Sequence, residues 1–132
     1  MKNVSFLTLE VVIEIHDEMI QQYGGSFGIR DLGLIQSAIS RPQASFADQD
    51  LYPTIFDKAA ALFHSLLFNN AFVDGNKRTT ITSTARFLHI NGYELTPSEK
   101  EFVEFPLKVE NKHLGIEEIA KWLKNNCKKK KG

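Results

Sequence analysis

From Ile55 to Phe68 the chain is apolar at every position except Asp57, Lys58, His64 and Ser65. Those apolar positions cover most of the circumference of a helix, and a helix that is apolar all round has to be buried on all sides. The rest of the chain must therefore wrap around it. Ile81 to Ile90 reads as a second helix, and between the two a chain needs only a turn. What lies there is Asn69-Asn70-Ala71-Phe72-Val73-Asp74-Gly75-Asn76-Lys77-Arg78-Thr79-Thr80, which carries a carboxylate, a glycine, amide side chains and two adjacent cations. Without a convincing alternating strand pattern to compete, the expected fold is all-α: one compact domain of about six helices, with this bend joining the central pair.

The flanking segments fit that expectation. Thr8 can cap a helix with Glu10 in its first turn, and Leu9, Val12, Ile13, His16, Met19, Ile20 and Tyr23 recur at helical spacing. His16 falls on the apolar face and reads as a core histidine rather than a catalytic one. Gly24-Gly25 ends that helix. Asp31 is placed to cap a short helix through Ile39, which Arg41-Pro42 stops. Arg30 reads as a loop tie, with a substrate or partner contact as the alternative. Gln43 to Asp50 is a polar connector, and Pro53 suits the first turn of the central helix. Beyond the bend, Thr79, Thr80, Thr82, Ser83 and Thr84 give a hydroxyl-rich helix whose small side chains permit close packing. Ala85, Phe87, Leu88 and Ile90 fill the core, and Asn91-Gly92 ends it. Thr96-Pro97-Ser98-Glu99 reads as a capping box with proline at the first helical position, opening a helix that Pro106 interrupts or kinks. Gly115 to Asn126 is a final amphipathic helix with Ile116, Ile119, Ala120 and Leu123 inward. The domain is assigned to residues 1–126, and 127–132 to a lysine-rich disordered tail.

The central bend is where chemistry can reside. Asp74-Gly75 is a turn signal, and Gly75 lets backbone approach a ligand. The first N–H groups of the following helix have no intrahelical partner and favour an anion. Lys77 and Arg78 add positive charge, and Asp74 can hold a divalent cation of the kind that bridges phosphates. The pattern is that of a nucleotide phosphate cradle. By spacing alone, an ordinary solvated helix start accounts for it more readily than the cradle does.

Phe72-Val73-Asp74-Gly75-Asn76-Lys77-Arg78 resembles the signature of the Fic/Doc superfamily, and specifically its death-on-curing (Doc) branch, His-x-Phe-x-Asp-[Ala/Gly]-Asn-Lys-Arg. The resemblance extends to Gly24-Gly25 through Gly28-Ile29-Arg30-Asp31-Leu32-Gly33-Leu34, to Arg41-Pro42-Gln43-Ala44, to Leu51-Tyr52-Pro53 and to His89-Ile90-Asn91-Gly92-Tyr93-Glu94-Leu95. It implies a type II toxin-antitoxin toxin that transfers the γ-phosphoryl group of ATP, with Mg²⁺ held by Asp74, to a hydroxyl of a translation elongation factor. Gly75, Asn76, Lys77 and Arg78 are the implied phosphate contacts, with Gly75 and Asn76 offering backbone and amide donors. A cognate antitoxin folding over the site is the implied partner. The connector from Gln43 and the Leu51-Tyr52 stretch are implied to form a flap for the target segment; the alternative is a surface loop anchored by Phe46 and Leu51. Ile81 stands where Fic enzymes carry a further arginine, and Lys77 where they carry glycine, both in keeping with Doc and with a reversed nucleotide.

The chain departs from the signature at Asn70, the position of the family's histidine base. An amide cannot accept a proton near neutral pH, and losing a positioned base costs on the order of a hundred- to ten-thousand-fold in rate. Low or no activity is therefore expected. A non-catalytic module that binds nucleotide or antitoxin, a Fic-type AMP transferase, and an enzyme using water or His64 as base stand as alternatives. His64 itself lies nearly two turns from the bend at about 1.5 Å per residue, which favours a buried structural role. The 16 basic and 16 acidic residues balance, so no global basic field points to nucleic acid. No apolar run of about eighteen residues points to a membrane. The single cysteine, Cys127, suits a cytoplasmic protein and reads as idle.

Overall fold

The computed structural model of the protein describes residues 3–131. Its helices, in chain order with the strands between them, are α1 (Leu9–Tyr23), α2 (Leu32–Ser40), a 3-10 turn (Arg41–Gln43), strands β1 (Ser45–Phe46) and β2 (Gln49–Asp50), and α3 (Ile55–Asn69). There follow α4 (Asn76–Ile90), β3 (Tyr93–Leu95), α5 (Glu99–Lys112), α6 (Ile116–Asn125) and β4 (Cys127–Lys129). The expectation of an all-α domain of about six helices holds, with two short antiparallel hairpins or pairings added: β1 with β2, and β3 with β4.

The helix starts follow the chemistry of their caps. Thr8 Oγ1 accepts the Val11 N–H at 3.3 Å, and Asp31 Oδ1 accepts the Leu34 N–H at 3.2 Å. Thr54 and Asp57 form a reciprocal capping box at α3, so Pro53 lies outside the helix rather than in its first turn. Likewise the box that opens α5 is Ser98 with Glu101, two residues later than the sequence suggested.

α3 is the buried axis. Ala59, Ala60, Ala61, Leu62, Phe63, Leu66 and Leu67 are all buried, and α4, α6 and α2 pack around it. The hydroxyl-rich stretch of α4 does permit close packing: Thr79, Thr80, Ser83 and Thr84 are fully buried, and Thr80 and Thr84 turn their hydroxyls back onto carbonyls one turn earlier. Phe87 and Leu88 fill the core as expected, whereas Ile90, at the end of the helix, is exposed. α5 runs through Pro106 as one helix, because Phe105, Pro106 and Val109 are buried together and hold both halves of it against the core.

The lysine-rich tail is not disordered over its first residues. Cys127–Lys129 pairs with Tyr93–Leu95, and the ladder is extended by Thr96 N–H to the Asn126 carbonyl (2.7 Å) and Lys130 N–H to the Gly92 carbonyl (2.8 Å). Backbone bonds carry this strand while its lysines stay in solvent. Burial, with Glu94 beside it, pushes the Cys127 thiol up to about 11, so it stays protonated and unreactive. No helix among the described residues is long and apolar enough to cross a membrane.

Candidate active site

The bend between α3 and α4 is built on its buried side first. Phe72, as expected, anchors it: the ring is buried and stacks on His16, with centroids 3.9 Å apart and planes 7° from parallel. The Phe72 main chain is clamped by Asn76, whose Oδ1 accepts the Phe72 N–H at 3.1 Å and whose Nδ2 donates to the Phe72 carbonyl at 3.0 Å. Outside this clamp the bend is laced to the α1–α2 loop. Arg30 and Asp31 N–H groups both donate to the Ala71 carbonyl (2.7 and 3.0 Å), and the Val73 N–H donates to Gly28 (3.1 Å). Arg30 thus ties the loop through its backbone, and its side chain is exposed.

Asp74 is fixed from three sides. Its Oδ2 accepts the Ser26 N–H at 3.1 Å, its Oδ1 accepts the Gly75 N–H at 2.9 Å, and its own carbonyl accepts from His16 Nε2 at 2.7 Å. A side chain at Gly25 would lie 2.7 Å from Asp74 Oδ2, so only glycine lets the α1–α2 loop come this close to the carboxylate. His16 is the core histidine expected from its place on the apolar face of α1, and the carbonyl it bonds in the bend lies 58 residues further along the chain.

On the open side, Asn70, Asp74, Gly75, Asn76, Lys77 and Arg78 line one cleft of about 310 Å³, together with Met19, Tyr23, Gly24 and Val73. All six site residues singled out in the sequence are therefore brought together. Asn70 closes α3 in the left-handed conformation (φ 47°, ψ 50°) and is exposed. Gly75 precedes α4 with no side-chain cap on the helix, which leaves the first N–H groups of α4 without an intrahelical partner.

Two expected donors are otherwise engaged. The Asn76 amide is spent on Phe72 and the Gly75 N–H on Asp74, so the donors left for an anion are the N–H groups of Asn76, Lys77 and Arg78. The cations are parked rather than free: Lys77 Nζ lies 3.3 Å from Glu110 Oε1 on α5, and the Arg78 guanidinium lies 3.6 Å over the Tyr23 ring. Tyr23, which is not among the residues the sequence singles out for the cleft, lines it under Arg78; its position at the end of α1, directly before Gly24-Gly25, is the signal the sequence offers. An apolar groove of about 350 Å³ between α1, α4 and α5 adjoins the cleft and shares Met19, Tyr23, Lys77 and Arg78 with it, with Ile81 in its wall.

Magnesium is the metal the sequence suggested. Each oxygen of Asp74 accepts a single N–H bond, which leaves lone pairs for a cation. Among the described residues no group of three or more acidic, histidine or cysteine side chains could hold a metal. Asp74 alone could supply one ligand to Mg²⁺, which commonly takes one or two carboxylates and completes its shell with phosphates and water.

His64 is not near the cleft. Its Nδ1 faces Arg41 Nη1 at 3.1 Å, and the same guanidinium donates to Ser65 Oγ (2.9 Å) and, through Nε, to Tyr52 (2.9 Å). Burial first, and then the Arg41 charge, lower its pKa. The ring serves a structural polar cluster. Above that cluster, the connector expected from Gln43 to Asp50 ends its 3-10 turn at Gln43 and forms the β1–β2 hairpin over Ser45 to Asp50, with Phe46 76% exposed and Leu51 exposed as well. Neither side chain anchors the segment; Lys58, which is buried, does so by donating to Asp50 Oδ2 (3.1 Å) and to the Tyr52 carbonyl.

Residues 6–88 match the profile of the Fic/DOC family. Among curated relatives, Toxin Doc of Mycolicibacterium smegmatis is 52% identical over 73 residues, which are 55% of this chain and 56% of that protein. Protein kinase doc of Escherichia phage P1 is 29% identical over 115 residues, 87% of this chain and 90% of that protein. The chain thus aligns with little more than half the length of the first relative and with most of the second.

Proposed function

The chain belongs to the Fic/DOC family, and from that premise we propose that it is a Doc-type toxin whose cleft binds the phosphates of ATP and whose phosphoryl transfer is crippled by Asn70. The observation that carries this is the single cleft holding Asn70, Asp74, Gly75, Asn76, Lys77 and Arg78. A polyphosphate entering it meets three uncapped N–H groups of α4 and two cations, an arrangement suited to negative charge. Phosphoryl transfer depends mostly on positioning and electrostatic stabilisation. Mg²⁺ at Asp74 would supply further neutralisation between phosphates when it arrives with the nucleotide.

Within this scheme Arg78 leaves the Tyr23 face to meet developing charge on the transferred group, and Lys77 exchanges Glu110 for a phosphate. The exchange is inexpensive, because an exposed ion pair of this kind is worth about 0–1 kcal/mol. Asn70 stands at the mouth, where the acceptor hydroxyl would approach, and its amide can orient that hydroxyl but not take its proton. The acceptor is proposed to be a hydroxyl of a translation elongation factor in the cytoplasm, presented along the β1–β2 hairpin. The partner that silences the toxin is proposed to be an antitoxin whose segment folds over the cleft.

The test pairs the chain with Asn70→His. The left-handed backbone at position 70 is one that asparagine and histidine both tolerate, so the substitution should leave the bend intact. Incubated with γ-labelled ATP and a cell extract, the histidine version is expected to label a protein at least a hundredfold faster. A second reading, a module that works by binding alone, is favoured by the same Asn70; it would be upheld if neither version transfers label while both bind ATP. Transfer of an adenylyl group instead of the γ-phosphoryl would overturn the phosphotransferase reading.

A further inference from the structure

His16 is 1% exposed and contributes nothing to the wall of the cleft, yet it bonds the main chain of a residue that does. Its Nε2 lies 2.7 Å from the Asp74 carbonyl oxygen. Whatever the charge of the ring, Nε2 must carry a hydrogen there, since only a donor can approach a carbonyl that closely. Two contacts fix the plane of the ring: the stack on Phe72, and Nδ1 lying 3.3 Å from Asp17 Oδ1.

The Asp74–Gly75 peptide needs such a constraint. Gly75 sits at φ +74°, and a Cβ there would fall 2.9 Å from Ile20 Cδ1 and 3.6 Å from His16 Nε2. Glycine is favoured at this positive φ, and glycine is also the residue at which a peptide plane rotates most freely. In the observed orientation the carbonyl points beneath the floor of the cleft and the Gly75 N–H closes onto Asp74 Oδ1. Rotated, the carbonyl would leave His16, turning its negative end towards the cleft and breaking the bond that orients the carboxylate.

We infer that His16 is a positioning residue: its Nε2–H pins the Asp74–Gly75 peptide with the carbonyl turned away from the cleft, so that this carbonyl does not face an incoming phosphate and the Asp74 carboxylate keeps its orientation. The inference rests on the phosphate reading of the cleft and extends it to a residue that does not line it.

The test compares the chain as it stands with His16→Phe, which keeps the stack and the volume but has no donor, and with His16→Gln, whose amide restores one. MgATP affinity is measured by calorimetry, and amide hydrogen exchange of residues 74–79 is followed without nucleotide. Loss of one hydrogen bond to this peptide is expected to weaken MgATP binding about tenfold in His16→Phe. Protection of the Gly75 amide should be lost with it, while the melting midpoint reports that the domain is folded. His16→Gln should recover a good part of both; a purely space-filling role would make the phenylalanine version the better of the two. A folded His16→Phe with unchanged affinity and unchanged Gly75 protection overturns the inference. Should the unaltered chain bind no MgATP, the phosphate reading fails by itself, and exchange at Gly75 then decides the role of His16: lost protection supports it, unchanged protection overturns it. If the phenylalanine version does not fold, His16→Asn, whose shorter side chain withdraws the donor, is compared with His16→Gln in the same two measurements.

Discussion

The two loops at the ends of α3 are built on opposite principles. At its C-terminal end, the bend from Asn70 to Gly75 is bound on its inner side by Asn76, His16, Gly28, Arg30 and Asp31, and only its outer side is left open for a ligand. At its N-terminal end, residues 45–50 are exposed throughout. That hairpin has two ladder pairs, Ser45 with Asp50 and Phe46 with Gln49, and is held from below by Lys58 and Arg41. Its turn residues, Ala47 and Asp48, both have positive φ, the conformation that two-residue hairpins require. The bend is immobilised from inside by hydrogen bonds, whereas the ribbon keeps its edges free and is tethered at its base.

The largest effect that could break this contrast is at the phenylalanine of each loop. Phe72→Ala removes a buried ring stacked on His16 and is expected to cost about 3–5 kcal/mol of folding stability. Phe46→Ala, on the exposed hairpin, should stay within about 0.5 kcal/mol. Urea unfolding of both variants checks the pair. Comparable losses would mean that the hairpin is packed onto the domain and not merely tethered to it.

How far each loop could be foreseen follows the same division. Asp74, Gly75, Lys77 and Arg78 announce themselves because turn chemistry, helix-start chemistry and charge all coincide within a few residues. The helix starts at Thr8 and Asp31 were legible for the same reason, a cap acting on residues three positions away. What could not be read locally was everything that depends on distant partners. His16 belongs to the bend only because α1 packs beside α4. The Asn76 amide turns inward because Phe72 offers both a donor and an acceptor there. Strand β4 exists because Tyr93–Leu95 presents an open edge some thirty residues earlier in the chain. The hairpin was hidden for a different reason: its turn is Ala47-Asp48, without the glycine that usually marks such a reversal.

A smaller effect sharpens the contrast at the tether. Lys58→Met keeps most of the buried stem but withdraws the amine from Asp50 and from the Tyr52 carbonyl. Leaving that carbonyl without its donor should cost about 1–3 kcal/mol. Hydrogen exchange is expected to quicken at Leu51, whose N–H closes the hairpin onto Ala44 at 2.9 Å, and to stay slow at Val73 and Gly75. Equal acceleration in both loops would show that the ends of α3 are not independent.

The least of the expected effects concerns pH, and it too should separate the two loops. His64 accepts from Arg41 through Nδ1, which requires a lone pair on that nitrogen. Burial, and next the Arg41 charge, hold its folded pKa below the usual 6.5. The unfolded chain therefore binds the proton at a higher pH than the folded chain does. The His64 contribution is fully present above about 6.5 and is lost as pH falls through that value towards the lowered folded one, since protonation favours the unfolded state. Protonating Nδ1 also removes the acceptor beneath Tyr52, so the hairpin base should loosen before the bend does. Urea midpoints at pH 7.5 and 5.5 should therefore fall more for the chain as it stands than for His64→Gln, and exchange at Leu51 should quicken at the lower pH while Gly75 stays protected. If the two versions lose the same stability between these pH values, His64 does not titrate against folding, and the hold of Arg41 on Tyr52 does not depend on it.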